Sequence, residues 1–324
     1  LKSLSGGVSG SAVFLVTTDK GQFFLKEVGT EKDKDALRYA ISLQNLLFKK
    51  GKGKIPVSEY IAPGKQYNID RNNFIVEYEG KYYTVQTFLS AGRTIKKADL
   101  QKKHFISRAE MAAQMHNITS ANSSEIEYGS GQFSAQENWS MPAYVREIKN
   151  KFEDKISEME QKIKNKEELN DSERLLWNNR YFLMSQLELI IDNFGSVENK
   201  MPRVDSNIDL GAQNFKFDDE GNIVAWFDFD ISRHAYRMSS IRNIFLALSD
   251  EDQNLLICTT YENIKEGLRA YNLALEHKLT REEILGAIEL MRERITNNIF
   301  SLRYGFTKAR VSFNNIYENP ETLD

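Results

Sequence analysis

The chain has 324 residues, with 43 Lys and Arg against 46 Asp and Glu and a net charge of −3. Hydrophobic residues make up 41% and charged residues 27%, a globular composition that excludes collagen-like and disordered classes, and the near-neutral balance argues against a nucleic-acid binder. The longest apolar runs, such as residues 12–16 and 244–248, are far too short to span a bilayer. Cys258 is the single cysteine and cannot form an intramolecular disulfide, and no cationic stretch followed by an apolar segment opens the chain. The expectation is a soluble, cytoplasmic protein, long enough to divide into two lobes.

Residues 13–18 and 22–28 are β-prone runs joined by Asp19, Lys20 and Gly21, a hairpin signal. Residues 74–78 and 82–89 repeat the pattern around Glu79, Gly80 and Lys81. Between the hairpins, Leu37, Ile41, Leu43, Leu46 and Leu47 predict one helix over 35–48, followed by a lysine-rich loop over 49–54 and a further strand near 58–62. Beyond Gly92 the apolar period becomes 3.6. It predicts helices over 99–116, 143–164, 172–193 (capped by Ser172), 239–249, 252–277 and 280–301, and a Ser- and Asn-rich loop over 117–138. One β-like island, 214–217 and 222–229, interrupts the helical part around the turn Asp218, Asp219, Glu220 and Gly221. Charge divides unevenly: residues 1–93 carry +5 and the remainder −8.

Three features carry chemistry. Residues 5–11, Ser-Gly-Gly-Val-Ser-Gly-Ser, form a glycine-rich turn whose N–H groups can cradle phosphate oxygens. On the second strand of the same hairpin, Lys26 shares a face with Phe24 and Val28, so its ammonium either snorkels to solvent or reaches an anion. Residues 207–230 hold Asp209 and Asn214, five apart, then a strand that turns back to end in Asp228. Phosphoryl transfer needs such a set: one carboxylate to accept the proton of the attacking hydroxyl, and an amide oxygen and a second carboxylate to hold magnesium against the phosphates. His104, His116, His234 and His277 share no metal-ligand spacing, the lysines of 49–54 lack the interleaved aromatics of a nucleic-acid site, and His116 and Cys258 read as structural helix residues. Tyr144, Trp139, Trp177 and Tyr181 read as packing residues that could also line an acceptor pocket.

The order of glycine-rich hairpin, strand lysine, helix, linker, Asp-x4-Asn and strand-ending Asp resembles the phosphotransferase enzyme family of aminoglycoside phosphotransferases and of choline and homoserine kinases. The resemblance spans nearly the whole chain; its specific part is 209–230, helped by Ala112, Ala113, Gln114, Met115 and His116. It implies an α+β, two-lobed, protein-kinase-like fold, with an antiparallel β-sheet lobe and one helix at 1–89 and a larger, mainly helical lobe at 90–324. It also implies that Asp209 is the catalytic base, that Asn214 and Asp228 hold Mg2+, and that Lys26 contacts the α- and β-phosphates of ATP. Ser9, Gly10 and Ser11 would lie over the β- and γ-phosphates, and the backbone of Thr87 and Leu89 would meet adenine. Asp230 stands where the family often has an acid and either supports the metal or caps the next turn. Asn207 stands where the family has a histidine bracing the catalytic loop, and 37–47 holds no acid to pair with Lys26. The implied activity is an ATP-dependent small-molecule kinase, its acceptor possibly cationic; the competing reading is a non-catalytic kinase-like nucleotide-binding or scaffold protein. A protein kinase is disfavoured because only 231–238 separates Asp228 from the following helices.

Overall fold

The computed structural model describes residues 2–4, 12–28, 34–64, 74–127, 140–248 and 256–304. The chain opens with β1 (Lys2–Leu4), β2 (Val13–Thr18) and β3 (Gly21–Val28), then α1 (Lys34–Gly51), β4 (Ile75–Tyr78) and β5 (Lys81–Thr87). These five strands form one antiparallel sheet in the order β1-β2-β3-β5-β4. Both expected hairpins are present, and β1 is an addition to them. Residues 58–62 form no strand: they run beside β5 through isolated bonds, Ile61 N–H to the Val85 carbonyl at 2.8 Å and Thr87 N–H to the Glu59 carbonyl at 2.9 Å. α1 extends through Lys49 and Lys50 to Gly51, because lysine is a good helix former and favourable in a last turn. The helix has two apolar faces. Leu37 and Ile41 pack with Tyr60 and Ile75 beneath the sheet, whereas Tyr39, Leu43 and Leu47 enter the large core of the helical part.

That part contains α2 (Lys102–Ala121), α3 (Met141–Lys164), α4 (Asp171–Val197), α5 (Arg237–Phe245), α6 (Tyr261–Ala274) and α7 (Arg281–Tyr304). Val145, Phe152 and Met159 of the α3 stripe are buried, with Ile148 and Ile156 packed against the core. α4 is capped by Asn170 rather than Ser172, since the Asn170 side chain accepts the Glu173 N–H while Glu173 reaches back to the Asn170 N–H. α5 ends at Phe245 and gives way to β10 (Leu246–Leu248), paired with β11 (Leu256–Cys258). The expected helices over 239–249 and 252–277 are therefore each shorter, and Cys258 lies on a strand. Buried Arg–Glu pairs staple α5 to α7: Arg237 to Glu283 at 2.7 Å and Arg242 to Glu293 at 2.8 Å.

Two small sheets build the floor of the cleft. β7 (Phe215–Phe217) pairs with β8 (Ile223–Trp226), as the β-like island suggested. β6 (Arg203–Asn207) pairs with β9 (Ser232–Tyr236), matching Asn207 to Ser232. The segment 208–214 thus links β6 to β7, and 227–231 links β8 to β9, so pairing both sheets forces the two loops side by side. Between the lobes, Arg93 exchanges two backbone bonds with Phe217, at 2.9 and 3.0 Å, which anchors the linker on β7.

Candidate functional site

The two loops are tied by direct bonds. The Ile208 N–H donates to the Ile231 carbonyl at 3.2 Å and the Phe227 N–H to the Asn214 carbonyl at 2.9 Å. Asn207 is fully buried. Its Oδ1 accepts the Asp209 N–H and its Nδ2 donates to the Asp228 carbonyl, each at 2.9 Å. One amide therefore fixes the backbones of both loop aspartates, a job that needs a donor and an acceptor on one short side chain. Asn214 Nδ2 donates to the Asp209 carbonyl at 3.0 Å, which commits the nitrogen to the loop and leaves the amide oxygen available as an acceptor. Arg108 of α2, only 1% exposed, donates from Nη1 to the Leu210 carbonyl at 3.0 Å and from Nε to the His104 carbonyl at 3.3 Å. Burial pushes its guanidinium down to about 9.

Asp209 is half-buried, and among the described residues its Oδ1 makes only long contacts, to Gly211 N–H at 3.4 Å and Gln213 Nε2 at 3.5 Å. The carboxylate stays open to a hydroxyl proton. Asp228 adopts φ +59°. A non-glycine residue holds that conformation only where its surroundings enforce it, and such strain concentrates at functional sites. The crowding of the cleft, then the Asp230 charge, raise the Asp228 carboxyl above its ordinary value, with Lys26 opposing and Asp209 adding. With 49% of the side chain open to solvent, water screens part of this rise.

Lys26 lies on the cleft face of β3. Its ammonium is bonded to the Asp230 carboxylate and lies 3.9 Å from Asp228 Oδ1. The alternative of a solvent-snorkelling lysine is set aside: the side chain is 19% exposed and meets carboxylates. Phe24, on the same face, packs edge-on against Phe88 at 4.8 Å and Phe227 at 6.2 Å. Lys216 of β7, which no motif marks, lies above the rings of Phe88 (5.4 Å) and Phe227 (5.5 Å) and donates to the Leu89 carbonyl at 3.1 Å. In the linker, the Thr87 N–H is spent on Glu59, and Thr87 Oγ1 accepts the Glu59 N–H at 3.0 Å. Ser9, Gly10 and Ser11 fall outside the described residues.

Asn214 and Asp228 offer an amide oxygen and a carboxylate, a hard-oxygen set suited to magnesium that takes its remaining ligands from phosphates and water. Among the described residues no group of three or more His, Cys, Asp or Glu encloses a metal by itself. Below the loops, His116 sits inside α2, not at its end. Its Nδ1 bonds with Tyr271 OH at 2.6 Å, and its Nε2 lies 3.0 Å from Ser206 Oγ and 3.2 Å from Ser240 Oγ. Burial, then the Arg237 charge, drive the imidazole down to about 3, so it is neutral.

No protein-family model matches the sequence and no curated protein matches it. Solved structures match by fold. An aminoglycoside phosphotransferase from Alicyclobacillus acidocaldarius is similar with a TM-score of 0.61 and 15% identity, over 100% of this chain and 88% of the other. A spectinomycin phosphotransferase solved with ADP and spectinomycin gives 0.56 and 14%, over 98% and 88%. A macrolide 2'-phosphotransferase from Brachybacterium faecium gives 0.52 and 11%, over 96% and 89%. The chain has the two-lobed, kinase-like α+β fold of these phosphotransferases.

Proposed function

We propose that the chain is an ATP-dependent small-molecule kinase that transfers the γ-phosphoryl group to a hydroxyl of its acceptor. The observation that carries this reading is the joining of the Asp209 and Asp228 loops by the Asn207 amide, with Lys26 brought onto the same loops from the opposite lobe. Asp209 accepts the proton of the attacking hydroxyl. Lys26 binds phosphate oxygens, and the Thr87 carbonyl and Leu89 N–H meet the edge of adenine. Ser9, Gly10 and Ser11 are the proposed cover of the β- and γ-phosphates. Asn214 and Asp228 would hold magnesium, which supplies neutralisation of phosphate charge. Most of the acceleration comes from positioning and a fixed electrostatic environment rather than covalent chemistry.

The fold neighbours include enzymes named for aminoglycoside, spectinomycin and macrolide acceptors, which supports amine-bearing compounds of this kind as the first acceptors to try. Asp209→Asn is expected to lower turnover at least about a hundredfold while ATP affinity stays within about threefold of wild type. ADP release across a panel of aminoglycosides, choline, homoserine and sugars, together with calorimetric ATP binding, checks both parts. Wild-type turnover in Asp209→Asn overturns the base assignment, and absence of ATP binding by the unaltered protein leaves a non-catalytic kinase-like module.

A further inference from the structure

The strand lysine of a phosphate site needs a partner. A four-carbon stem has many rotamers, and a freely rotating ammonium spends little time at any one phosphate oxygen. From residue 36 to residue 51, α1 has no acid at all. Its buried polar side chains are occupied: the Tyr39 hydroxyl donates to Asp205 Oδ1 at 2.7 Å, and Gln44 Nε2 donates to the Ser58 carbonyl at 2.7 Å. Lys26 is bonded instead to Asp230, two residues beyond Asp228 on the loop between β8 and β9.

We propose that Asp230 is the positioning residue for Lys26, holding its ammonium against incoming phosphates; the proposal rests on the reading of the cleft as a nucleotide site. An ammonium has three N–H donors, so one bond to Asp230 leaves two for phosphate oxygens. Asp228 then remains free to act as a ligand, at 3.9 Å from the same nitrogen. The arrangement has a mechanical consequence. Asp230 belongs to the lobe opposite β3, so the bond that holds Lys26 spans the cleft and ties β3 to the loop that carries Asp228. The pair adds little to folding stability: the side chains are 19% and 38% exposed, and such pairs contribute small energies.

The test is calorimetric ATP binding, with magnesium and in its absence, to the unaltered protein and to Asp230→Asn, Asp230→Glu, Lys26→Met and the double variant Lys26→Met/Asp230→Asn. Asp230→Asn is expected to weaken ATP about tenfold, Asp230→Glu to stay within about threefold of wild type, and the double variant to bind no more weakly than Lys26→Met. Urea midpoints are expected to move little in Asp230→Asn. Unchanged or tighter ATP binding in Asp230→Asn overturns the assignment, as do penalties that multiply to about a hundredfold in the double variant, because two residues acting as one unit do not add. A urea midpoint that falls enough to explain the weaker binding overturns it as well. Silence of the unaltered protein toward ATP overturns the phosphotransferase reading itself, and is distinguishable from a failure confined to Asp230→Asn.

Discussion

Asn207 and His116 show two ways a single buried side chain serves the cleft. Asn207 is spent on the loops directly, one atom for each aspartate backbone. His116 works one layer below: the Ser206 hydroxyl that it contacts also lies 2.7 Å from Ser240 Oγ and donates to the Asn207 carbonyl at 3.1 Å. A neutral imidazole suits this position because one ring nitrogen donates while the other accepts. Protonation turns both nitrogens into donors and places a charge where Arg237 already lowers proton affinity. The folded-state value near 3 lies below the unfolded value of about 6.5, so the unfolded chain binds the proton more readily, and stability contributed here is present above about pH 6.5 and lost as pH falls toward 3. Urea unfolding at pH 7, 6, 5 and 4 is expected to show a His116-dependent slope approaching about 1.4 kcal/mol per pH unit. His116→Gln is expected to be less stable at pH 7 but to have a shallower acid limb. Parallel limbs for the two proteins would show that His116 does not titrate on unfolding.

The linker between the lobes depends on one backbone position. Gly92 has φ +73°, and a Cβ there would stand 2.3 Å from Val224 Cγ2 and 2.8 Å from the Phe217 carbonyl oxygen. Arg93 follows with its two backbone bonds to Phe217, so relief by moving the linker costs the anchorage on β7. Gly80 has the same φ +73° with nothing within 4 Å of its Cβ position. Gly80→Ala is therefore expected to cost about 1 kcal/mol of backbone strain alone, and Gly92→Ala at least about 2 kcal/mol, from the added clash. Equal urea midpoints for the two would remove the packing argument. Elements of this kind were only partly legible in the sequence. The hairpins and α3 announced themselves through turn residues and one unbroken apolar stripe. β6 did not: Asp205, Ser206 and Asn207 are all buried polar residues, so no alternation of apolar and polar marks the strand. Its pairing with β9 is nonetheless what brings Asp209 beside Asp228. The boundary between α5 and β10 falls inside 244–248, an unbroken apolar run that periodicity cannot divide. Asp209, Asn214 and Asp228 were legible from spacing, whereas Lys216 and the Lys26–Asp230 bond depend on contacts more than a hundred residues apart.

At the scale of the whole molecule, charge is partitioned, +5 over residues 1–93 and −8 over 94–324. The acids of the helical part are not equivalent. Glu283, Glu289 and Glu293 of α7 are buried, and each already has an arginine: Arg237, Arg292 and Arg242. The first and third pairs tie α5 to α7 and the second lies within α7; all three carboxylates are neutralised by their arginines, so they offer little charge to a ligand. The exposed excess is screened by solvent and acts on an approaching molecule through the long-range field. A cationic acceptor would accordingly gain in encounter rate rather than in bound-state energy. For an amine-bearing sugar, raising salt from about 0.05 M to about 0.5 M shrinks the screening length to a few ångströms and is expected to lower kcat/KM several-fold while kcat holds. A neutral sugar that is phosphorylated should show no such dependence. Steady-state rates at four salt concentrations decide the matter. An equal salt response for charged and neutral acceptors would assign it to the proposed binding of ATP phosphates at the basic lobe, and would leave the acidic lobe as solvated surface without a part in acceptor choice.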